Sequence, residues 1–108
     1  MSSKYTYTAK VERIIDGDTM VIMVDLGFHV HKRIRARLKG IDAPERGQEG
    51  YQVALLQLSD LVNEVTDKDG NIEIISHKQG KYGRWLAEIE GVTDKMATNY
   101  PYPKKDTN

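Results

Sequence analysis

The chain has 108 residues, which is enough for one small domain with a single core and too few for two. Sixteen lysine and arginine residues balance sixteen aspartate and glutamate residues, so overall charge selects no partner and any basic site must be local. The absence of cysteine excludes disulfides and thiolate metal sites, and it suits a reducing compartment.

Three strand-like segments come first. In YTYTAKVERII, residues 5–15, apolar side chains occupy every second position, and TMVIMVDL, residues 19–26, is rich in β-branched residues. The Asp16-Gly17 pair between them is typical of a hairpin turn. From Phe28 to Leu38 the residues sort by parity into two faces. One face carries Val30, Ile34, Ala36 and Leu38, and the other carries His29, His31, Arg33, Arg35 and Arg37. The pattern predicts a three-stranded antiparallel meander.

The charged face of the third strand has two interpretations. Most charged residues are exposed, so a solvated strand face is the favoured one for His29, His31, Arg33 and Arg35. His29 and His31 have the same-face spacing of two metal ligands, but the sequence offers no evident third ligand. Arg37 differs from its neighbours because it lies five residues before Asp42.

The remaining segments complete the predicted fold. YQVALLQLSDLVNEV, residues 51–65, predicts an amphipathic helix with Val53, Leu56, Leu61 and Val62 near helical spacing. IEIIS, residues 72–76, and GRWLAEIE, residues 83–90, predict two short strands. Residues 91–108 lack periodicity and hold two of the three prolines, so we expect an irregular tail. Three strands, a helix and two strands form the element order of a five-stranded OB-type Greek-key barrel. The fold class is therefore α+β and mainly β, with residues 1–108 as a single domain.

The stretch GIDAPERG, residues 40–47, concentrates charge just after the third strand. Asp18, Asp42 and Glu45 are candidate oxygen ligands or acids, since a hard cation needs several oxygens drawn together. Pro44 restrains the backbone between Asp42 and Glu45. Arginine suits a phosphodiester substrate because its planar guanidinium donates paired hydrogen bonds to phosphate oxygens, which makes Arg37 and Arg84 candidates.

Three motifs together carry a family resemblance. IIDGDT (14–19), ARLKGIDAPE (36–45) and KYGRWLA (81–87) resemble the staphylococcal nuclease (thermonuclease) family in order and spacing. The resemblance covers roughly residues 8–90, on either side of a helix of compatible length. It implies a calcium-dependent nuclease that hydrolyses DNA and RNA, with single strands preferred, and leaves 5′-hydroxyl and 3′-phosphate ends.

The resemblance also assigns roles to single residues. It implies that Asp18 and Asp42 are direct calcium ligands and that Ala43 contributes its backbone carbonyl, which a threonine-to-alanine change does not remove. Glu45 corresponds to the general base that acts on or orients the attacking water. Arg37 and Arg84 would stabilise the developing charge, and Lys81 and Tyr82 would contact a terminal phosphate.

The C-terminal part departs from the family pattern. Family members usually carry further helices after the fifth strand, and this chain is expected to be a short member that lacks most of them. Tyr100 and Tyr102 have the spacing of two tyrosines that line the base-stacking pocket of the family. If they do not fill that role, the surface left by the missing helix would be open to self-association.

Two function classes therefore remain. A metal-dependent nuclease is favoured because the acids, the base and both arginines are present. The alternative is a catalytically weak or inactive OB-fold module that binds single-stranded nucleic acid or a protein partner. The start MSSKYTY lacks a signal-peptide core and no segment reaches membrane-spanning length, so we expect a cytoplasmic protein with no membrane partner, or a secreted one if a leader was removed.

Overall fold

Five strands close into a barrel in the computed structural model, which describes residues 5–77 and 85–101. The strands are β1 (Thr6–Asp16), β2 (Thr19–Asp25), β3 (His31–Leu38), β4 (Ile72–Ser76) and β5 (Trp85–Glu88). Their order around the barrel is β1-β2-β3-β5-β4, and β1 pairs with β4 to close it. Only the β3–β5 pair among these is parallel. The five-stranded OB-type barrel and its α+β class are confirmed.

The barrel interior is filled from alternate positions of the strands. In β2 every second residue is buried, because successive side chains of a strand point to opposite faces. The buried strand residues are Ala9, Met20, Ile22, Val24, Ala36, Leu38, Ile72, Ile74 and Ala87. On the outer face of the meander, β1 and β3 carry charged residues, and β2 carries half-buried ones.

Helix α1 spans Tyr51–Val65, as predicted, but it buries a different stripe from the expected one. Ala54, Leu58 and Val62, four residues apart, face the core. Val53 and Leu56 were expected on the apolar side, yet they are 64% and 63% exposed. The stripe rotates because the small Ala54 lets the helix approach the β1–β2 turn closely, which a bulkier side chain could not do.

A second helix, α2 (Thr93–Asn99), corrects two expectations. Residues 91–108 were predicted to be irregular, and the first helix after the fifth strand was predicted to be missing. Both predictions are wrong for residues 93–99. Val92 and Met96 are fully buried and Tyr100 packs beside them, so an apolar side chain recurs every four residues and drives the segment onto the core. Within residues 5–77 and 85–101, neither helix has the length and apolar character needed to cross a membrane.

Candidate active site

The site begins at the turn between β1 and β2, where a glycine permits unusually close packing. A Cβ atom added to Gly17 would lie 2.8 Å from the Cβ atoms of both Ala43 and Ala54, well inside van der Waals contact. The turn can therefore approach the loop after β3 and helix α1 only because residue 17 has no side chain. This approach brings the next residue, Asp18, against the loop.

Asp18 is a buried carboxylate held by several hydrogen bonds. The residue is 3% exposed. Its Oδ2 accepts a hydrogen bond from the backbone N–H of Ala43 at 3.0 Å, and its Oδ1 accepts one from the Thr19 hydroxyl at 2.9 Å. Its backbone carbonyl accepts the N–H of Leu38 at 2.8 Å. The side chain therefore ties the β1–β2 turn to the loop after β3, and its orientation is fixed.

Arg37 joins the two aspartates. Its Nη2 donates to the carbonyl of Ile41 at 2.9 Å. Its Nη1 lies 3.8 Å from Asp18 Oδ2, and its Nη2 lies 4.0 Å from Asp42 Oδ1. The Arg37 side chain is 18% exposed, so this cluster is only partly open to water. Two carboxylates from different elements thus converge on one cation.

Asp42 is more open than Asp18 and is positioned by the end of α2. Its side chain is 49% exposed, while its backbone N–H donates to the carbonyl of Tyr100 at 2.9 Å. Ile41 and Pro101 form an isolated antiparallel bridge beside it. Tyr100, predicted to bind substrate, is therefore adjacent to Asp42 through the backbone, and its half-buried side chain packs against the core.

Glu45 lies on an exposed turn at the same end of the barrel. Its N–H donates to Gln48 Oε1 at 2.8 Å, and its carbonyl accepts the N–H of Gln48 at 2.9 Å. Partial burial, followed by the charges of Asp18 and Glu45, raises the pKa of Asp16. The carboxylates of Asp18 and Glu45 thus lie close enough to Asp16 to disfavour its charged form.

Asp16 is the member of this group that sequence reasoning missed. It was assigned to the turn alone, whereas it is the last residue of β1 and pairs with Thr19. The available signal was the pair of aspartates on either side of Gly17, which a tight turn brings to one end of the sheet. Its proximity to Asp18 and Glu45 makes it part of the acidic side of the site.

The structure brings together Asp18, Arg37, Asp42, Ala43 and Glu45, and Tyr100 lies next to them. Lys81, Tyr82, Arg84 and Tyr102 lie outside the described residues. Among the residues that are described, no three histidine, aspartate or glutamate side chains are grouped closely enough to form a metal site on their own. The side-chain donors on hand for a cation are thus the converging carboxylates of Asp18 and Asp42.

These donors suit a hard cation. Calcium binds six to eight oxygen atoms from carboxylates, backbone carbonyls and water, and this site offers oxygen donors only. Asp18 and Asp42 already share a cation, the guanidinium of Arg37, at 3.8 and 4.0 Å. The acidic side of the site, with Asp16 and Glu45 nearby, also favours positive charge. Asp18 and Asp42 thus offer oxygen donors of the kind that calcium prefers.

OB-type barrels as a class commonly bind oligonucleotides or oligosaccharides. The chain is 32% identical over 83 residues to a micrococcal nuclease of Shigella flexneri, which covers 77% of this chain and 42% of that protein. It is 33% identical over 87 residues to an uncharacterized endonuclease of Haemophilus influenzae, which covers 81% of this chain and 44% of that protein. No family model matches the chain.

These matches confirm the family resemblance. The chain is staphylococcal-nuclease-like, since two nuclease-named relatives align with about four-fifths of it. The aligned part spans less than half the length of those relatives.

Proposed function

We propose that this protein is a calcium-dependent nuclease that hydrolyses DNA and RNA to leave 5′-hydroxyl and 3′-phosphate ends. The observation that carries the proposal is the convergence of Asp18 and Asp42 on Arg37, at 3.8 and 4.0 Å, with Glu45 at the same end of the barrel. The nuclease names of the two relatives support the reaction class.

Calcium, held by Asp18, Asp42 and the Ala43 carbonyl, would neutralise phosphate charge and lower the pKa of a bound water. The site's geometry supports this ligand set because Asp18 is held in one orientation. Asp18 accepts three hydrogen bonds, which fix the residue without a bound cation. Asp42, on a loop that α2 braces, supplies the more exposed ligand.

Glu45 is the proposed general base. It accepts a proton from the water whose oxygen attacks phosphorus, and the bond between phosphorus and the 5′-oxygen breaks. The 5′-oxygen takes up a proton from solvent water and leaves as a hydroxyl, and the phosphate remains on the 3′-oxygen. The exposed turn that holds Glu45 suits this role because the carboxylate can reach a water from solvent.

Arg37 and Arg84 are the proposed stabilisers of the negative charge that builds up on the phosphate oxygens. The hydrogen bond from Arg37 to the Ile41 carbonyl, which holds the guanidinium next to both aspartates, supports this role. We assign Lys81 and Tyr82 to a terminal phosphate, and Tyr100 and Tyr102 to base stacking, which favours single strands because their bases are accessible.

The direct test is cleavage of denatured DNA in calcium and in chelator, with Glu45→Gln in parallel. We expect calcium-dependent cleavage by the wild type and a 10²–10⁴-fold lower rate for the variant, the usual cost of removing a positioned base. Glu49→Gln, which changes an exposed carboxylate on the same loop, is the matched control and should keep the wild-type rate. End-labelling of the products with a 5′-kinase reports the 5′-hydroxyl.

The alternative is an OB-fold module that binds single-stranded nucleic acid or a protein partner without cutting. It is favoured by the lack of three grouped ligand side chains in the described part of the chain. Single-strand binding without cleavage by the wild type, in calcium, would establish it. Self-association through an open surface stays a prediction, which sedimentation of the purified chain would test. The cytoplasmic location also stays a prediction.

A further inference from the structure

The outer side of the β1–β2–β3 meander carries a basic surface that begins next to the site. Strand register sets residues side by side in rows across the three strands. The row at the site is Asp16, Thr19 and Arg37; the next is Arg13, Val21 and Arg35; the third is Lys10, Met23 and Arg33. We call the second and third rows the meander face. Neighbouring rows on one face are about 6.6–6.8 Å apart, so this surface is continuous with the site.

The meander face is positively charged, and only some of its cations have an acidic or carbonyl partner. Its four cations are balanced locally by Glu12, which Arg33 binds through two hydrogen bonds of 2.6 and 3.1 Å. Lys10 donates to the carbonyl of Asp69. Within residues 5–77 and 85–101, the side chains of Arg13 and Arg35 form no hydrogen bond or ion pair. Both are exposed, so two guanidinium groups are presented to solvent beside the site.

An apolar tip lies at the far end of the same strands. Leu26, Phe28 and Val30, in the turn between β2 and β3, are 43%, 99% and 51% exposed. Phe28 and His29 have positive φ values of 54° and 62°, a conformation that bulky residues rarely adopt. The Phe28 ring therefore contributes no burial to the fold while its backbone conformation costs stability.

We propose that the meander face and this tip form a second contact surface for the nucleic-acid strand that enters the site. Arg13 and Arg35 contact phosphates, and Phe28 stacks on a base. The arginines that line β3 up to Arg37 form a linear positive surface, which matches the linear negative charge of a nucleic-acid strand. Exposed aromatic rings beside basic surfaces are the usual means of holding an unpaired base. The inference rests on the proposed function, since the same strand occupies both surfaces.

The distance between the two surfaces makes a distinctive test possible. From Arg37 to His31 the chain runs six residues, or about 20 Å, so a substrate of one or two nucleotides cannot reach the tip. Substitutions at the tip should therefore weaken the binding of long single strands and leave the binding of short substrates unchanged. Damage to the site itself would weaken both.

Binding is measured by the anisotropy of a labelled, long thymidine oligonucleotide, in a Glu45→Gln background that prevents cleavage. Phe28→Asn should weaken binding about 5- to 150-fold, the equivalent of one stacked base. Because asparagine tolerates positive φ, the same variant should melt about 4–8 °C higher. Arg13→Gln with Arg35→Gln should lower the slope of log affinity against log salt by about 1.4, which is two phosphate contacts on a single strand.

The controls are Val53→Asn and Lys95→Gln, which change an exposed apolar residue on α1 and an exposed cation on α2. Both should bind as the parent does. In the active background, Phe28→Asn and the double arginine variant should hydrolyse a nitrophenyl phosphodiester of thymidine at the parent rate.

Three results would overturn the proposal. If the Glu45→Gln parent binds and the wild type cleaves, but the variants bind like the controls, the second surface is wrong and the nuclease proposal stands. If the Glu45→Gln parent does not bind and the wild type does not cleave, both proposals fail. If Phe28→Asn abolishes binding to anionic lipid vesicles and leaves oligonucleotide binding intact, the tip is a membrane contact instead.

Discussion

A glycine decides how the active-site end of the barrel packs. Gly17→Ala places a methyl group 2.8 Å from the Cβ atoms of Ala43 and Ala54, so the turn must move away from the loop and helix. Overpacking of this kind costs about 1–3 kcal/mol. We expect a loss of that size in the free energy of unfolding, measured by urea denaturation with the fluorescence of Trp85, the single tryptophan, as the probe.

A double-mutant cycle separates this clash from a general effect of alanine. Ala43→Gly removes one of the two methyl groups that the new side chain would meet. The pair Gly17→Ala with Ala43→Gly should therefore lose less than the sum of the single losses. Strict additivity would show that the close approach does not exist.

At the scale of the element, α2 is expected to stabilise both the core and the loop that holds Asp42. Met96 is fully buried, and the carbonyl of Tyr100 at the end of the helix accepts a hydrogen bond from the backbone N–H of Asp42. Met96→Ala should lower the free energy of unfolding by about 2–5 kcal/mol, the usual cost of such a truncation in a core. Lys95→Ala, one residue away and exposed, is the matched control and should change it by less than about 0.5 kcal/mol. A small loss for Met96→Ala, similar to the control, would mean that α2 is not docked.

The order of the five strands and α1 was predictable from the sequence, and Asp18, Arg37 and Asp42 from the predicted site do lie together. The places where prediction failed have physical causes. The meander followed from period-two alternation, and α1 followed from composition, with its bounds correct at Tyr51–Val65. The buried face of α1 could not be predicted because the sequence has apolar residues on both candidate faces, at Leu56 and at Leu58. Only the close contact of Gly17 with α1 determines which face is buried.

The second helix was missed for a different reason. Two nearby prolines outweighed the spacing of Val92, Met96 and Tyr100, although a proline after a helix is compatible with that helix. Asp16 was missed because a turn aspartate is common, and only three-dimensional proximity to Asp18 and Glu45 distinguishes it. Local pattern therefore predicted the elements, whereas contacts between distant segments determined the faces and the full acidic group.

At the scale of the whole molecule, the proposed calcium site couples cation binding to the stability of the fold. A cation that binds only the folded chain stabilises it by about 2.7 kcal/mol at a hundred times its dissociation constant. We expect calcium to raise the free energy of unfolding of the wild type by that amount, with Asp42→Asn losing most of the gain. Because the Asp42 side chain is half-exposed, wild type and variant should be similarly stable in chelator.

The most direct measurement is therefore urea unfolding of wild type, Asp42→Asn and Asp60→Asn, with calcium and with chelator. Asp60 is an exposed carboxylate on α1, so its variant controls for loss of one negative charge. Stabilisation by calcium in wild type and Asp60→Asn, but not in Asp42→Asn, is the result we expect. No stabilisation of the wild type, or an equal gain in Asp42→Asn, would contradict a calcium site built on Asp18 and Asp42.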